Sequence, residues 1–316
     1  MELCVADYKF KTEQECLDYI KKMMGRLGET AKAGFNRTKV FEPAKSQNEI
    51  YGIMSENNTK PYNIIDIIER MVDGDEEGKT SFDEFKQDYG KTIVCGYARI
   101  KGWSVGLVAN QRLITKNAKG EMQMGGVIYN DSADKAARFI MNCNQKKIPL
   151  VFLQDVTGFM VGSRSEHSGI IKDGAKLVNA VSNSVVPKIT IIVGNSYGAG
   201  NYAMCGKAYD PRFIYAWPSA KIAVMGGGAA AKTLLQIQVA SEKAKGREVT
   251  PEDEKKLLDE IMQRYETQTS SYYAAARLWV DDIIDPKETR NHISEAINAA
   301  NNNPNMEDFK IGVFQV

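Results

Sequence analysis

The chain has 316 residues, and 43% of them are hydrophobic, so it can bury one large core or two small ones. Lys and Arg number 41 against 40 Asp and Glu, a balance that argues against a nucleic-acid partner or a membrane-surface partner. Two histidines and five scattered cysteines without a C-x-x-C pair argue against a multi-histidine metal site and favour reduced thiols. With no signal-peptide pattern and no long apolar run, the sequence predicts a cytoplasmic protein without membrane insertion.

The first 60 residues differ in character from the rest of the chain. Thr12 and Glu15 form a capping-box pattern at the start of a predicted helix. The apolar residues on one face of that helix are Cys16, Ile20, Met23 and Met24. A polar segment with Gly, Asn and Pro follows and ends at Pro61. These patterns predict a helical and extended arm over residues 1–60, packed on the same or a neighbouring chain, and one domain over residues 61–316.

Beyond Pro61 the predicted strands and helices alternate. Two β-rich runs on either side of Lys101 and Gly102 predict a hairpin. Three later apolar runs predict buried strands with helices between them: PLVFLQ (149–154), KITIIVG (188–194) and SAKIAVMG (219–226). Strand–helix–strand units favour a largely parallel sheet, so the sequence predicts an α/β fold. The segment from Pro251 onwards is predicted to be mostly helical.

The stretch GNSYGAGNYAMCG (194–206) has three interpretations. Its G-x-S-x-G pattern is typical of a serine hydrolase elbow with Ser196 as nucleophile, followed in the chain by Asp281, Asp282 or Asp285 and by His292. Its G-x-G-x-x-A pattern is typical of a dinucleotide site, but no acid follows at the required spacing. The third interpretation is that small residues free backbone N–H groups to hold a negative oxygen.

Two further glycine loops favour the third interpretation. DVTGFMVG (155–162) follows a predicted buried strand, and VMGGGAAA (224–231) follows another. Loops that follow parallel strands lie at the same edge of the sheet, so we expect the three loops to converge there. The alternative is that each is an ordinary tight turn.

Three segments make the sequence recognisable: FLQDVTGFMVG, GIIKDGAKLVNAVSNSVVPKIT and GNSYGAGNYAMCGKAYDPRFIYAWPSAKIAVMGG. Together they resemble the carboxyltransferase β subunits of biotin-dependent acyl-CoA carboxylases, and YGAGNYAMCGKAYDPRF is similar to the 3-methylcrotonyl-CoA carboxylase branch. The resemblance implies a crotonase-like (ClpP/crotonase) fold, a superhelix of ββα units. Those subunits contain two homologous halves. This chain resembles the second half only, and its N-terminal arm is similar to the linker between them.

The resemblance also implies roles for the glycine loops. In the family, the first half binds most of the acyl-CoA and the second half binds carboxybiotin. The N–H groups of Ala199 and Gly200 are therefore expected to hold the ureido oxygen of biotin. The residues implied to shape or line the biotin site are Phe159, Met160, Val161, Gly162, Tyr197, Gly198, Asn201, Gly226 and Gly227. For Phe159 and Met160, plain core packing is the alternative.

The implied function is transfer of CO2 from carboxybiotin on a carrier protein to an acyl-CoA, without a metal in this subunit. The implied partners are an N-terminal-half carboxyltransferase subunit, the biotin carboxyl carrier protein and biotin carboxylase, in a hetero- or homo-oligomer. One alternative is the carboxyltransferase subunit of a biotin-dependent decarboxylase of the glutaconyl-CoA type. A non-enzymatic scaffold half and a serine hydrolase using Ser196 are more distant alternatives.

Overall fold

Strands and helices alternate along the chain in the computed structural model, which describes residues 6–54, 60–246, 249–310 and 312 and, at position 229, the backbone alone. The described α-helices are α1 (Glu13–Gly25), α2 (Ile50–Ile53), α3 (Ile64–Ile68), α4 (Asn130–Gln145), α5 (Ser163–His167), α6 (Ile170–Ser182), α7 (Gly198–Ala203), α8 (Gly227–Ala244), α9 (Pro251–Thr269), α10 (Ser271–Ala275) and α11 (Thr289–Ala300). The described strands are β1 (Asp83–Phe85), β2 (Ile93–Ile100), β3 (Trp103–Asn110), β4 (Thr115–Lys116), β5 (Met122–Gln123), β6 (Val127–Ile128), β7 (Leu150–Val156), β8 (Gly158–Phe159), β9 (Lys188–Tyr197), β10 (Phe213–Ala216), β11 (Lys221–Ala223) and β12 (Asp282–Ile283).

One mixed sheet organises these elements. Its hydrogen-bonded order is β1-β2-β3-β7-β9-β10-β12, and β11 also pairs with β9. The pairs β1–β2 and β2–β3 are antiparallel, and the pairs from β3 through β7, β9 and β10 to β12 are parallel. The predicted α/β fold with a largely parallel sheet is therefore confirmed, and so is the predicted hairpin, which forms β2 and β3.

Apolar side chains cover both faces of the sheet because successive residues of a strand point to opposite sides. In β7, Val151 belongs to a core that includes residues of α3 and α11. The next residue, Phe152, belongs to a second core with Phe139 of α4 and Leu177 of α6. The sheet is thus buried between helices on its two faces, and its carboxyl edge remains available for the loops.

A buried ion pair ties the hairpin turn to the last helix. Lys101 and Gly102 both have positive φ, and their N–H groups donate to the carboxylate of Asp73 at 2.7 Å each. Arg290 of α11 donates to the same carboxylate at 2.6 Å, and both charged residues are almost fully buried. The pair therefore holds α11 against the turn that joins β2 and β3.

The N-terminal arm is attached to this domain from about Ala33 onwards. Phe35 is buried in the first core, and its N–H donates to Asn301 Oδ1 at 3.2 Å. The N–H of Thr38 donates to Gly102 O at 3.0 Å. In contrast, α1 contains no buried residue. The predicted boundary at residue 60 adjoins residues 55–59, which lie outside the described residues, and it stays a prediction.

Within the described ranges, no helix is both long enough and apolar enough to cross a membrane.

Candidate active site

The three glycine loops meet at the carboxyl edge of the sheet. The first loop is 194–206, the second is 155–162 and the third is 224–231. A Cβ on Gly200 would lie 2.6 Å from Val156 Cγ2 and 3.1 Å from Gly158 Cα, so the first and second loops touch there. A Cβ on Gly198 would lie 2.8 Å from Val224 O, which belongs to the third loop. Gly198 also has a φ of +53°, a conformation that favours glycine. The predicted convergence is confirmed, and it depends on backbone approaches that larger residues would block.

The first turn of α7 lies at the point of convergence. The first N–H groups of an α-helix have no acceptor within the helix. In α7 the first three positions are Gly198, Ala199 and Gly200, and Ala199 is exposed. Such N–H groups suit an oxygen that carries or develops negative charge. The structure thus places Ala199 and Gly200 where the sequence predicted them, and their catalytic role stays a prediction.

Ser196 lies beneath this turn in a buried hydrogen-bond network. Its hydroxyl donates to Gln154 Oε1 at 2.7 Å and accepts from Asn201 Nδ2 at 2.7 Å. The side-chain amide of Gln154 in turn donates to Met204 O at 2.7 Å. Ser196 is fully buried, so its hydroxyl anchors α7 to β7. Asn201, which is predicted to shape the loop, is the residue of α7 in this contact.

The position of His292 contradicts the serine hydrolase alternative. Its ring packs 5.4 Å from the ring of Tyr215, and Tyr215 pairs with Ile191 in β9. Ile191 precedes Ser196 by five residues of β9, about 16 Å at about 3.3 Å per residue. A general base must lie within hydrogen-bond reach of its nucleophile, so these two residues do not form a catalytic pair.

Asp155 forms a second buried network behind the loop. Its Oδ1 accepts from the N–H of Asn195 at 2.8 Å, and its Oδ2 accepts from the hydroxyl of Tyr62 at 2.9 Å. Arg112 Nε lies 3.2 Å from Oδ2. Burial raises the pKa of the Asp155 carboxyl, and the charge of Arg112 opposes that rise. A Cβ on Gly194 would lie 2.4 Å from the Asp155 carboxyl carbon, so the approach of β9 to this carboxylate needs glycine.

Tyr197 extends this network to the glycine loop. Its hydroxyl donates to Asn195 Oδ1 at 2.9 Å, and burial raises the pKa of Tyr197 to about 12. Tyr197 is therefore a neutral phenol at physiological pH. Its ring lies 3.7 Å from where a Cβ of Gly226 would be, so Tyr197 joins the first loop to the third.

The second loop divides into an inward and an outward part. β8 pairs with β6, and the N–H of Met160 donates to Ile128 O at 2.9 Å. Phe159 is partly buried in the second core and packs on Gly174 of α6. The exposed residues Met160, Val161 and Gly162 follow it. This placement favours the packing alternative for Phe159 and leaves the next three residues at the surface beside α7.

The third loop is held by α9. Gly226 caps α8 and Gly227 is its first residue. The ring of Tyr265 lies against Gly227, and its hydroxyl donates to Met225 O. The first turn of α8 is thereby fixed beside the first loop.

Comparison with known proteins agrees with this geometry. Residues 3–311 match the family described as the carboxyl transferase domain. The chain belongs to that family. It is 47% identical over 277 residues to the probable methylcrotonoyl-CoA carboxylase beta chain of Drosophila melanogaster, covering 88% of this chain and 44% of that protein. It is 37% identical over 250 residues to the methylmalonyl-CoA decarboxylase subunit alpha of Propionigenium modestum, covering 79% of this chain and 44% of that protein.

A solved carboxyltransferase has the same fold. The geranyl-CoA carboxylase beta subunit of P. aeruginosa superposes with a TM-score of 0.74 at 34% identity, over 98% of this chain and 55% of that chain. The predicted crotonase-like fold and the predicted family are therefore confirmed. This carboxyltransferase chain spans about half the length of the relatives it matches.

Several apolar side chains of the glycine loops and of α6 and α7 are exposed. Val161, Ile171 and Val224 are each more than 70% exposed, and Tyr202 of α7 is 48% exposed. Contiguous exposed apolar surface marks interaction sites. Two grooves of about 790 and about 330 Å³ lie elsewhere and are not lined by the glycine loops. In the part of the chain that the structure describes, no cluster of three His, Cys, Asp or Glu side chains is suited to a metal ion.

Sequence reasoning missed Tyr62 and Arg112 of the Asp155 network. Tyr62 lies 93 residues before Asp155, and Arg112 belongs to the segment between β3 and β4. The sequence did contain a signal for such a network, because Asp155 is an acid at the end of an apolar strand. A buried carboxylate requires hydrogen-bond donors. Which residues would supply them depends on the fold.

Proposed function

We propose that this chain is the carboxybiotin-binding half of a biotin-dependent acyl-CoA carboxyltransferase. The observation that carries the proposal is the convergence of three glycine loops on the first turn of α7, where Ala199 is exposed and Gly200 is buried. Membership of the carboxyl transferase domain family supports carboxyl transfer as the chemistry at this turn. The proposed substrates are carboxybiotin on a carrier protein and an acyl-CoA of the methylcrotonyl type.

The residues present fit a ligand with a polarised carbonyl oxygen. Bound carboxybiotin supplies the CO2 that is transferred. The N–H groups of Ala199 and Gly200 orient its ureido oxygen and stabilise the negative charge that develops there. Loss of one such donor typically lowers the rate by about 100- to 1,000-fold. Because the donors belong to the backbone, the site needs no titratable side chain, which agrees with a chain that contains only two histidines.

The loop side chains have a proposed role in excluding water. The proposed walls of the site are the exposed residues Met160, Val161 and Gly162 on one side and Gly226 and Gly227, at the start of α8, on the other. Tyr197, Gly198 and Asn201 hold the turn between the walls. A dry site strengthens the contacts of the backbone donors and prevents loss of reactive species to water.

The proposed partner for the open side of this site is an N-terminal-half carboxyltransferase subunit. The relatives contain about as much chain again, and the exposed apolar side chains around α7 are unsuited to remaining in water. The carrier protein and biotin carboxylase complete the proposed assembly. Cytoplasmic location stays a prediction, and the Drosophila relative is named as mitochondrial.

The second candidate function is the reverse reaction, decarboxylation of an acyl-CoA onto biotin. The Propionigenium relative, a methylmalonyl-CoA decarboxylase subunit, is the observation that favours it. The same backbone donors serve both directions, because the same transition state is crossed. The two candidates differ in their neighbours: a biotin carboxylase subunit or a membrane decarboxylase subunit.

The test is carboxylation of free biotin driven by 3-methylglutaconyl-CoA or methylmalonyl-CoA. The assay is run with this chain alone, with the first-half protein of the same organism alone, and with both. Activity only on mixing is the expected result. Activity of this chain alone would overturn the divided site. No activity on mixing with either acyl-CoA would overturn the carboxyltransferase proposal.

A further inference from the structure

The helix α1 presents an apolar face that nothing in the described chain covers. The exposed fractions along this face are Leu17 46%, Ile20 43%, Met23 38% and Met24 56%, and Leu27, two residues beyond the end of α1, is 67% exposed. The helix has no buried residue. Its start is well formed, since Thr12 Oγ1 accepts from the N–H of Glu15 at 3.2 Å. α1 is thus a capped helix whose apolar side faces solvent.

The aromatic contacts of α1 lie away from this face. The ring of Tyr19 packs 4.6 Å from Tyr8 and 5.1 Å from Phe10. At 100° per residue, Tyr19 lies about 100° from the centre of the apolar face at Ile20. The local cluster therefore supports α1 from one side and does not shield the apolar side chains.

The width of the apolar face indicates what kind of surface covers it. In a heptad that begins with Leu17 at position a, the apolar residues fall at positions a, d and g: Cys16, Leu17, Ile20, Met23, Met24 and Leu27. A seam restricted to a and d is typical of a two-stranded coiled coil, whereas a face three positions wide is typical of a helix that packs on a globular core. The pattern thus favours docking on a folded domain over pairing of two α1 helices.

The area of the apolar face of α1 also favours docking on a folded domain over pairing of two α1 helices. Five half-exposed side chains of this size offer roughly half of the ~800 Å² that each partner buries in a standard interface. An isolated pair of α1 helices would fall short of a stable dimer. A domain that also covers the apolar side chains around α7 would supply the remainder.

We infer that the apolar face of α1 docks on the first-half carboxyltransferase domain. This inference rests on the proposed function, because that function names the partner. The relatives are about twice as long as this chain, so a folded domain of similar size accompanies this half in them. Residues 33–38 are fixed to Asn301 and Gly102, so α1 projects from a fixed attachment and adds a second contact to the one around α7.

The test compares two charge-matched double variants of the full chain. Ile20→Glu with Met24→Glu places two carboxylates on the apolar face. Gln14→Glu with Lys22→Gln changes the net charge by the same amount on the polar face. None of the four side chains is buried, so both variants should fold, and circular dichroism and thermal unfolding check this. Affinity for the first-half protein is measured by calorimetry, and activity by the biotin carboxylation assay.

The expected result is that the apolar-face variant binds the first-half protein at least about 100-fold more weakly, while the polar-face variant binds like the parent. Parental affinity of both variants, with activity on mixing intact, would overturn the docking inference and leave the proposed function standing. Failure of the parent itself to bind or to become active would overturn both. A dimer of this chain alone that the apolar-face variant abolishes would assign α1 to a second copy and overturn the inference.

Discussion

The hydroxyl of Ser196 donates to the side-chain oxygen of Gln154 at 2.7 Å in the interior of the protein. The same hydroxyl accepts from Asn201 at 2.7 Å, so its hydrogen-bonding capacity is used on both sides. The G-x-S-x-G sequence pattern here joins β9 to the first turn of α7, and its serine is buried and is not a nucleophile. The serine thereby fixes the position of Ala199, three residues further along the chain.

We expect no reaction of Ser196 with a fluorophosphonate, because the hydroxyl is buried and has no histidine partner. The Ser196→Ala variant should lose about 1–3 kcal/mol of unfolding free energy, since Gln154 Oε1 is left buried without its donor. Mass spectrometry of the treated protein and urea unfolding check the two parts. Stoichiometric labelling of Ser196 would restore the hydrolase interpretation.

Gly200→Ala should damage the site by moving the second loop. The new methyl would lie 2.6 Å from Val156 Cγ2 and 3.1 Å from Gly158 Cα, so backbone must shift. The expected cost is about 1–3 kcal/mol of stability, with loss of activity on mixing with the first half. Gly52→Ala is the control, because its Cβ meets no atom within 4 Å. Equal activity of the two variants would show that close approach of the loops is unnecessary.

Asp155→Ala should destabilise the protein by about 3–5 kcal/mol, because it leaves the Arg112 guanidinium without its carboxylate in a mostly buried position. The N–H of Asn195 would also lose its acceptor. Asp155→Asn keeps an oxygen for that N–H, so it should retain more activity than the alanine variant. Denaturant unfolding and kcat on mixing measure the two effects. Identical kcat values for the two variants would mean that the contact with Asn195 does not position the loop.

Arg290→Ala should cost about 3–5 kcal/mol of unfolding free energy, because Asp73 would remain buried with an unpaired charge. The matched control is Lys79→Ala, which removes an ion pair with Glu77 whose side chains are both more than 70% exposed. Exposed pairs contribute about 0–1 kcal/mol. Urea unfolding of both variants makes the comparison. A similar, small loss of unfolding free energy in both variants would show that the Asp73–Arg290 pair does not hold α11 in place.

Three cysteines should be unreactive in the native protein across ordinary pH. Burial raises the pKa of Cys95 to about 12 and of Cys205 to about 11, and it raises the pKa of Cys143 further. Only the thiolate reacts, and at pH 8 a thiol with a pKa near 11 is ionised to roughly one part in a thousand. Iodoacetamide on a Cys4→Ser background should therefore modify Cys16 alone. Modification of Cys205 below the unfolding temperature of the protein would contradict the burial of this residue.

The sequence predicted the strands of this protein better than it predicted the contacts that shape the site. The apolar runs at 149–154 and 188–194 correspond to β7 and β9, because buried parallel strands leave a continuous hydrophobic signal. β9 continues through the polar residues Asn195 and Ser196, which pair with Lys221 and Ile222 of β11. Local sequence carries no sign of that extension, since it depends on a strand more than twenty residues further along.

The same limit applies to the site itself. The convergence of the glycine loops could be predicted from their positions after parallel strands, because such loops share one edge of the sheet. The anchoring of Asp155 by Tyr62 and Arg112 could not be predicted, since these residues come together only in the folded chain. The inward position of Phe159 likewise depends on the packing of α6 beneath the second loop.

We propose that the backbone of α7 stabilises the reacting oxygen, and Ala199→Pro is the sharpest test of that role. Proline removes the N–H at this position and is tolerated in the first turn of a helix. Ala199→Ser keeps the N–H and serves as the control. In the biotin carboxylation assay with the first half present, we expect a kcat about 100- to 1,000-fold lower for the proline variant, with unchanged affinity for the first half. A proline variant with the parental kcat would contradict it.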